Sequence, residues 1–348
     1  MEAVEKGILK KQQTILRSEA PSRAQRVIMD GDILFQCVRP YQKNNYLHKG
    51  QNNDKTQWVA STGYAQIRTT ESPSYLYHTL NTDGFNKKVM VRCTGSSYPA
   101  INSDDLSTIH FYFSPQKEEQ RKISQLFDLL DERIATQNKI IDKLQSLIKG
   151  INQEVFNGVG YSYKLGSICE IKSGYSGNQL IKKEGLKVSR IETISGHRIN
   201  LERVGYVSPF KNSESYKLQV GDILFSNINS VEYIGNTAFV DKDYDLYHGM
   251  NLLRLIPNSK IVVPFYLYLL LNTRKMLNRF KTICNKAVSQ ASINQADLGK
   301  TIIVLPSLEN QIKICTIYEV LFSKIEAEKK CLSLYNVQKQ YLLRQMFI

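Results

Sequence analysis

The chain lacks the usual carriers of catalysis. It has no Gly-x4-Gly-Lys-Ser/Thr loop to cradle nucleotide phosphates, which argues against ATP hydrolysis. It has no Asn/Asp-Pro-Pro-aromatic run, the signature of amino-methyltransferases. Its six cysteines (Cys37, Cys93, Cys169, Cys284, Cys315, Cys331) form no CxxC pair, a pattern that reads as reduced thiols in a cytoplasmic protein. The five histidines are dispersed, so no zinc site is expected, and His110 and His248 read as packing or polar-contact residues. The single tryptophan, Trp58, sits in an apolar run and is expected in a core rather than as a base-stacking platform. No segment approaches the roughly 20 apolar residues of a spanning helix, and the N-terminus lacks the apolar stretch of a signal peptide. Neither a membrane nor a cofactor is expected.

What the chain does have is positive charge. Its 46 basic and 32 acidic residues leave a net charge of +14, which calls for a polyanionic partner, and nucleic acid fits better than a membrane surface. The plainer alternative is charge that only maintains solubility. At 348 residues and 42% hydrophobic content the chain can fill two ordinary cores and still supply long helices.

The sequence also repeats itself. From position 123, Ile123, Phe127, Leu130, Ile134, Ile141, Leu144, Ile148, Ile151 and Val155 follow at steps of three and four, with one step of seven over Gln137. Adding 191 gives Ile314, Tyr318, Leu321, Ile325, Leu332, Tyr335, Lys339, Leu342 and Met346, with Glu328 in place of Gln137 (328 − 191 = 137). Apolar residues every 3.5 positions define a coiled-coil seam. The first helix is predicted over 115–156, with Ser114 as its cap, Pro115 in its first turn and a stop at Asn157-Gly158-Val159-Gly160. With the helices antiparallel, Gln137 would face Glu328.

A globular segment precedes each helix, and the two segments share marks. Gly-Asp-Ile-Leu-Phe stands at 31–35 and again at 221–225, reading as a turn that feeds an apolar strand. Ile-Asn-x-x-Asp-Leu stands at 101–106 and at 293–298. Strands are expected at 58–68 and 246–255, and helices at 73–80 and 264–280. The fold class is α/β (α+β) in two copies, each followed by a long helix. The expected boundaries are a first globular domain at 1–113, a helix at 114–157, a linker at 158–163, a second domain at 164–305 and a helix at 306–348. The second copy opens with Leu165-Gly166 and Ile171-Lys172-Ser173-Gly174, a helix or strand ending in a glycine turn. The repeat places its counterpart before residue 1, so the first copy is expected to lack about 25–30 opening residues.

Together these residues resemble the specificity subunit of a type I restriction–modification system. The resemblance rests on the opening at 165–174, both Gly-Asp-Ile-Leu-Phe turns and both Ile-Asn-x-x-Asp-Leu segments. It rests further on Leu305-Pro306-Ser307-Leu308-Glu309-x-Gln311 with its cousin at 114–120, and on the closing Gln345-Met346-Phe347. It implies two target-recognition domains that each read half of a bipartite double-stranded DNA site. It also implies an antiparallel helix pair that sets the spacer and docks methyltransferase (modification) subunits and a restriction/motor subunit. The subunit itself would be catalytically silent. Glu170-Ile171-Lys172 has the Glu-x-Lys form of some nucleases but no metal-binding Asp to accompany it, and is expected to be a solvent-facing strand end. The rivals are a stand-alone DNA-modifying enzyme and a coiled-coil adaptor without DNA binding.

DNA phosphates call for cations, and base edges call for amides, guanidinium or hydroxyl groups. The candidates are Arg39, Lys43, Asn44 and Asn45 in the stretch 39–49, and Asn227 and Asn229 in 226–233. Lys281, Lys286, Ser289 and Gln290 follow in 281–290, with Lys172 and Ser173 at the opening of the second copy. Lys182, Lys183 and Arg190 are further phosphate candidates. The alternative for each is an ordinary solvated side chain.

Overall fold

A computed structural model describes residues 4–5, 7–10, 14–50, 57–156, 160–286 and 290–347. The chain divides into two compact units, Met1–Ile141 with Ala327–Ile348, and Asp142–Glu326.

In the first unit the strands are β1 (Val4–Glu5), β2 (Ile8–Leu9), β3 (Ala24–Val27), β4 (Ile33–Gln36), β5 (Tyr46–Leu47), β6 (Val59–Ser61) and β7 (Tyr64–Ile67). They pair antiparallel as β1-β2, β3-β6 and β5-β4-β7. Helices α1 (Pro73–Leu80), α2 (Asp83–Arg92) and α3 (Ser103–Ser107) follow, and then α4 (Lys117–Val155). Local chemistry sets the helix starts. Ser72 accepts from the Tyr75 amide ahead of Pro73, and Thr82 accepts from the Phe85 amide to open α2. Ile33, Phe35, Leu76, Leu80, Phe85, Val89 and Leu106 form the core between sheet and helices. Trp58 packs with Ile28, Leu34 and Tyr64 in a smaller cluster.

In the second unit the elements are β8 (Tyr161–Lys164), α5 (Leu165–Ile168), β9 (Cys169–Ser173), β10 (Leu186–Val188) and β11 (Gly205–Val207). Next come β12 (Ile223–Phe225), β13 (Ile228–Asn229), β14 (Thr237–Phe239), β15 (Leu253–Pro257), α6 (Pro264–Leu271) and α7 (Arg274–Ile283). The unit continues with β16 (Asn285–Lys286), β17 (Ala291–Ser292), α8 (Gln295–Gly299), β18 (Ile302–Leu305) and the start of α9 (Leu308–Met346). The main sheet runs β14-β12-β15-β9, all antiparallel, and two smaller sheets run β13-β17-β16 and β18-β8. Its core includes Leu165, Phe225, Leu255, Tyr266, Leu271 and Phe280.

The single helix expected over 264–280 is in fact two. Thr273 ends α6 by donating to the Leu270 carbonyl at 2.7 Å, and starts α7 by accepting from the Met276 amide at 3.3 Å. One side chain thus serves both helix ends, as Thr82 does between α1 and α2.

The sheets of the two units superpose by register. Ile33 lies between Leu47 and Ile67, as Ile223 lies between Phe239 and Leu255. The fourth strand, β9, belongs to the opening segment 164–174 and has no counterpart among the described residues of the first unit. β18, which pairs with β8, likewise corresponds to residues 110–113, which are not strand.

Both long helices run for 39 residues, about 58 Å at the α-helical rise. α4 starts at Lys117 rather than Pro115, because Ser114 Oγ accepts from the Gln116 amide at 3.2 Å before the helical ladder closes. Of its expected stop at 157–160, residues 157–159 lie outside the described residues. Seam positions 123, 127, 130, 137 and 141 of α4 are buried, and 134 is half-buried. On α9, Tyr318 and Ile325 are buried, while Ile314, Leu321, Glu328 and Leu332 are half-buried.

Candidate nucleic-acid interface

The repeated sequence marks turn out to build the fold. Gly31 and Gly221 have φ of +83° and +98°, the left-handed region that glycine adopts without strain. The aspartate that follows each glycine is buried and closes the turn: Asp32 Oδ2 accepts from the Met29 amide at 2.8 Å, and Asp222 Oδ2 from the Gln219 amide at 2.6 Å. Each also holds an arginine. Arg68 donates from Nε and Nη2 to Asp32 at 2.7 Å, with Gln66 Nε2 at 2.7 Å, and Arg254 Nη2 lies 2.7 Å from Asp222 Oδ2. The Arg68 guanidinium, with further help from Met29 and Gln66, holds the Asp32 carboxyl at about 2. Asp222 has fewer donors, and burial pushes it upward against the pull of Arg254. Asn102 and Asn294 cap α3 and α8, each accepting from the amide three residues on and donating to that aspartate's carboxylate. Gln120 and Gln311, both buried, tie the long-helix starts to the Ser114 and Pro306 carbonyls at 2.7 and 2.9 Å.

Gly174 is not the turn expected of it. A Cβ there would sit 1.8 Å from the Gly249 carbonyl oxygen, so the glycine permits close passage of two backbones. Tyr175 then bridges to Gly249 in parallel. His248 next door is buried, with Nε2 2.9 Å from the Leu252 carbonyl, and burial drives its pKa down to about 4. His110 offers its carbonyl to Lys88 Nζ at 2.9 Å. Glu170 and Lys172 form an exposed ion pair at 3.2 Å. Among the described residues there is no group of three His, Cys, Asp or Glu side chains that could hold a metal, and no helix is long and apolar enough to cross a membrane.

Two candidate loops of the second unit meet in one small sheet. Asn229 pairs with Ala291 across β13-β17, and Lys286 pairs with Ala291 across β16-β17. Gln290, just before β17, is exposed, as is Lys286, and Lys281 at the end of α7 is half-buried. Among the described residues no carboxylate pairs with Lys281, Lys286, Lys182 or Lys183, whereas Lys172 and Arg190 have acidic neighbours in Glu170 and Glu192. Asn227, just before β13, is half-buried and donates to the Ile293 carbonyl at 3.3 Å, with its Oδ1 buried and unbonded. Asn229 holds Ser226 Oγ and the Ser230 amide. Ser173 is exposed at the end of β9, and Ser289 lies outside the described residues.

In the first unit the candidates divide. Asn45 is 2% exposed, and both ends of its amide face inward: Oδ1 accepts from the Gln36 amide at 2.8 Å and Nδ2 donates to Asn81 Oδ1 at 3.1 Å. Lys43 donates to the Asn81 carbonyl and to Asp83, and the Asn44 amide bonds Gln36 Oε1 at 3.0 Å. These three hold the 40–45 loop against β4 and the end of α1. Arg39 differs: its guanidinium lies 4.2 Å above the ring of Tyr98, a residue that sequence reasoning missed. The repeat was the available signal, since Tyr98 falls opposite Gln290 (290 − 98 = 192, as for Ile101 and Ile293).

The polar interruptions of the two helix seams meet within the first unit. Gln137 Nε2 donates to the Glu328 carbonyl at 3.3 Å and also bonds its carboxylate. Lys339, a basic seam position, pairs with Asp131. Phe127 and Leu130 pack with Leu343 and Phe347. In the second unit Tyr318 hydroxyl bonds Asn152, and Phe156 packs on Tyr318 and Tyr266.

Two copies of one α/β unit, each followed by a long helix, define a duplicated scaffold whose polar candidate residues lie mostly on short strands and loops. Residues 25–146 and 161–333 match the type I restriction modification DNA specificity domain, and the chain belongs to that family. The putative type I restriction enzyme MjaX specificity subunit of Methanocaldococcus jannaschii is 41% identical over 180 residues, 51% of this chain and 42% of that protein. The type I restriction enzyme EcoKI specificity subunit of Escherichia coli (strain K12) is 22% identical over 283 residues, 74% of this chain and 60% of the relative. The matches thus span less than two thirds of these relatives. Among solved structures, the type I restriction–modification S subunit from M. genitalium aligns at a TM-score of 0.61 and 15% identity, covering 97% of this chain and 93% of that one. A chain from a study of assembly and conformational transition of the type I R-M system aligns at 0.62 and 24%, covering 99% and 89%. At these identities the likeness concerns the fold.

Proposed function

We propose that this chain is the DNA sequence-recognition subunit of a type I restriction–modification complex, reading a bipartite double-stranded target. Each α/β copy would read one half-site. The long helices would pair as an antiparallel coiled coil, fix the spacer and dock the methyltransferase and restriction/motor subunits. The chain itself would be a non-catalytic cytoplasmic scaffold, with adenine methylation and cleavage carried by its partners. The observation that carries this reading is the occurrence of the family's DNA specificity domain in both halves of a +14 chain. The small sheet of the second copy and the adjoining end of α7 add the fitting chemistry: Lys286 and Lys281, with no carboxylate partner among the described residues, near the exposed Gln290.

Binding of the full chain to duplex DNA, followed by fluorescence anisotropy across a salt series, tests it. Phosphate-dominated binding weakens steeply with salt, by about 0.9 in logarithmic slope per phosphate neutralised. Lys281→Ala with Lys286→Ala should weaken binding to all sequences and flatten that slope by up to about 2, whereas Gln290→Ala should change base preference. An adaptor without a DNA role would show no affinity even at low salt, and that outcome ends the proposal.

A further inference from the structure

Arg39 is held in an unusual way. Its backbone lies in the left-handed region, with φ 55° and ψ 53°, which a non-glycine residue adopts at a cost and which concentrates at functional positions. Its amide donates to the Pro99 carbonyl at 2.7 Å, fixing that backbone to the loop that carries Tyr98. The guanidinium lies 4.2 Å above the Tyr98 ring, and the ring itself is 64% exposed. Among the described residues no carboxylate pairs with Arg39, and its Nε is buried without a hydrogen-bond acceptor. The loop beneath is stiff. Thr94 and Ala100 exchange both backbone hydrogen bonds at 2.9 Å, and Gly95 turns at φ +88°. A strained backbone, an aromatic shelf and an unpaired guanidinium together present a planar, pre-oriented donor pair.

The repeat says what that pair corresponds to. Arg39 falls opposite Asn229 (229 − 39 = 190, the offset of Gly31 to Gly221), and Tyr98 falls opposite Gln290. The backbone agrees: the Cys37 carbonyl accepts from the Ile101 amide at 3.0 Å, as the Asn227 carbonyl does from Ile293 at 2.9 Å. Equivalent places in the two copies therefore carry an arginine on a tyrosine in one and two carboxamides in the other.

Resting on the DNA-recognition reading above, we infer that Arg39 reads a guanine in one half-site, with Tyr98 as the positioning residue that keeps its guanidinium planar to the base edge. A guanidinium fork matches guanine O6 and N7, while a carboxamide such as the exposed one of Gln290 matches adenine N6 and N7, so the two copies would differ in base at this place. Aromatic stacking leaves the fork's donor edge open, and lysine cannot reproduce its bidentate geometry.

The test is selection of randomised duplexes by the full chain at low salt, with sequencing of the bound pool. The wild-type chain should enrich a two-part motif in which one guanine is favoured about 10- to 100-fold over other bases. Arg39→Lys should erase that preference, leaving the other half-site intact. Tyr98→Ala should reduce it several-fold, and Tyr98→Phe, which keeps the ring, should preserve it. Thermal melting of each variant identifies any that fail to fold, and the Tyr98→Phe and Tyr98→Ala comparison decides the matter if Arg39→Lys is among them. A wild-type motif unchanged by Arg39→Lys and by Tyr98→Ala overturns the arginine assignment alone. A wild-type chain that enriches no motif overturns the DNA-recognition reading, and this one with it.

Discussion

Burial sorts the polar residues of this chain into those that build and those left to act. The aspartates after Gly31 and Gly221 were legible as turn residues, and Asn102 and Asn294 stood out as repeated marks. Their partners were not legible, because Arg68 and Arg254 reach them across a sheet whose pairing no local pattern reveals. The burial of Asn45 is hidden for a similar reason: in sequence it belongs to a polar run, yet its amide is enclosed between β4 and the end of α1. His248 shows what such enclosure costs in acid. Its folded pKa, pushed down to about 4 by burial, lies below the unfolded value near 6.5. The stability associated with the neutral ring is therefore complete above pH 6.5 and declines as pH falls toward 4, by about 2–3 kcal/mol in all. The thermal midpoint of the full chain should drop across that window, and His248→Asn should remove part of the slope. A midpoint that stays flat from pH 6.5 to 4 in the wild-type chain would show that His248 is not held neutral.

At the level of elements, periodic and capped segments could be read directly and edges could not. The heptad steps of α4 and α9 gave their extent to within about two residues, because a seam repeated over many turns leaves one helical solution. The division of the helix expected over 264–280 into α6 and α7 is hidden because the break is only a short polar run, Asn272-Thr273-Arg274-Lys275, with no glycine or proline to punctuate it. The β13-β17-β16 sheet was also hidden, as strands of two residues carry too little pattern to register. Gln137 and Glu328 were legible as a pair because they interrupt two otherwise apolar seams at equivalent places. A partly buried polar layer of this kind fixes register while lowering stability relative to an apolar one. Leucine at both positions should accordingly raise the thermal midpoint and broaden register. Disulfide trapping between single cysteines placed along α4 and α9 in a cysteine-free background should then capture several spacings where the wild-type pair gives one. If the double-leucine chain melts lower and still traps a single spacing, the layer is contributing packing and not register.

For the whole molecule, duplication is the property that matters, since one recognition unit used twice needs something to set the distance between its two readings. The proposal assigns that task to the long helices, and their equivalence makes it testable by a matched change. Lys139 of α4 and Lys330 of α9 are equivalent (330 − 139 = 191). Four residues inserted after each lengthen both helices by about 6 Å and advance them by a little more than one turn. A four-residue insertion is a stutter, which locally unwinds a heptad seam instead of breaking it. At 3.4 Å per base pair along the duplex axis, about 6 Å corresponds to roughly two base pairs. A cell carrying the lengthened subunit with its methyltransferase partners should modify a motif with the same two half-sites and a spacer longer by about two base pairs. Should the added rotation be too great for simultaneous engagement, methylation would disappear altogether. Methylome sequencing that returned the original motif, fully modified and with its original spacer, would show that distance is set elsewhere than in the helices.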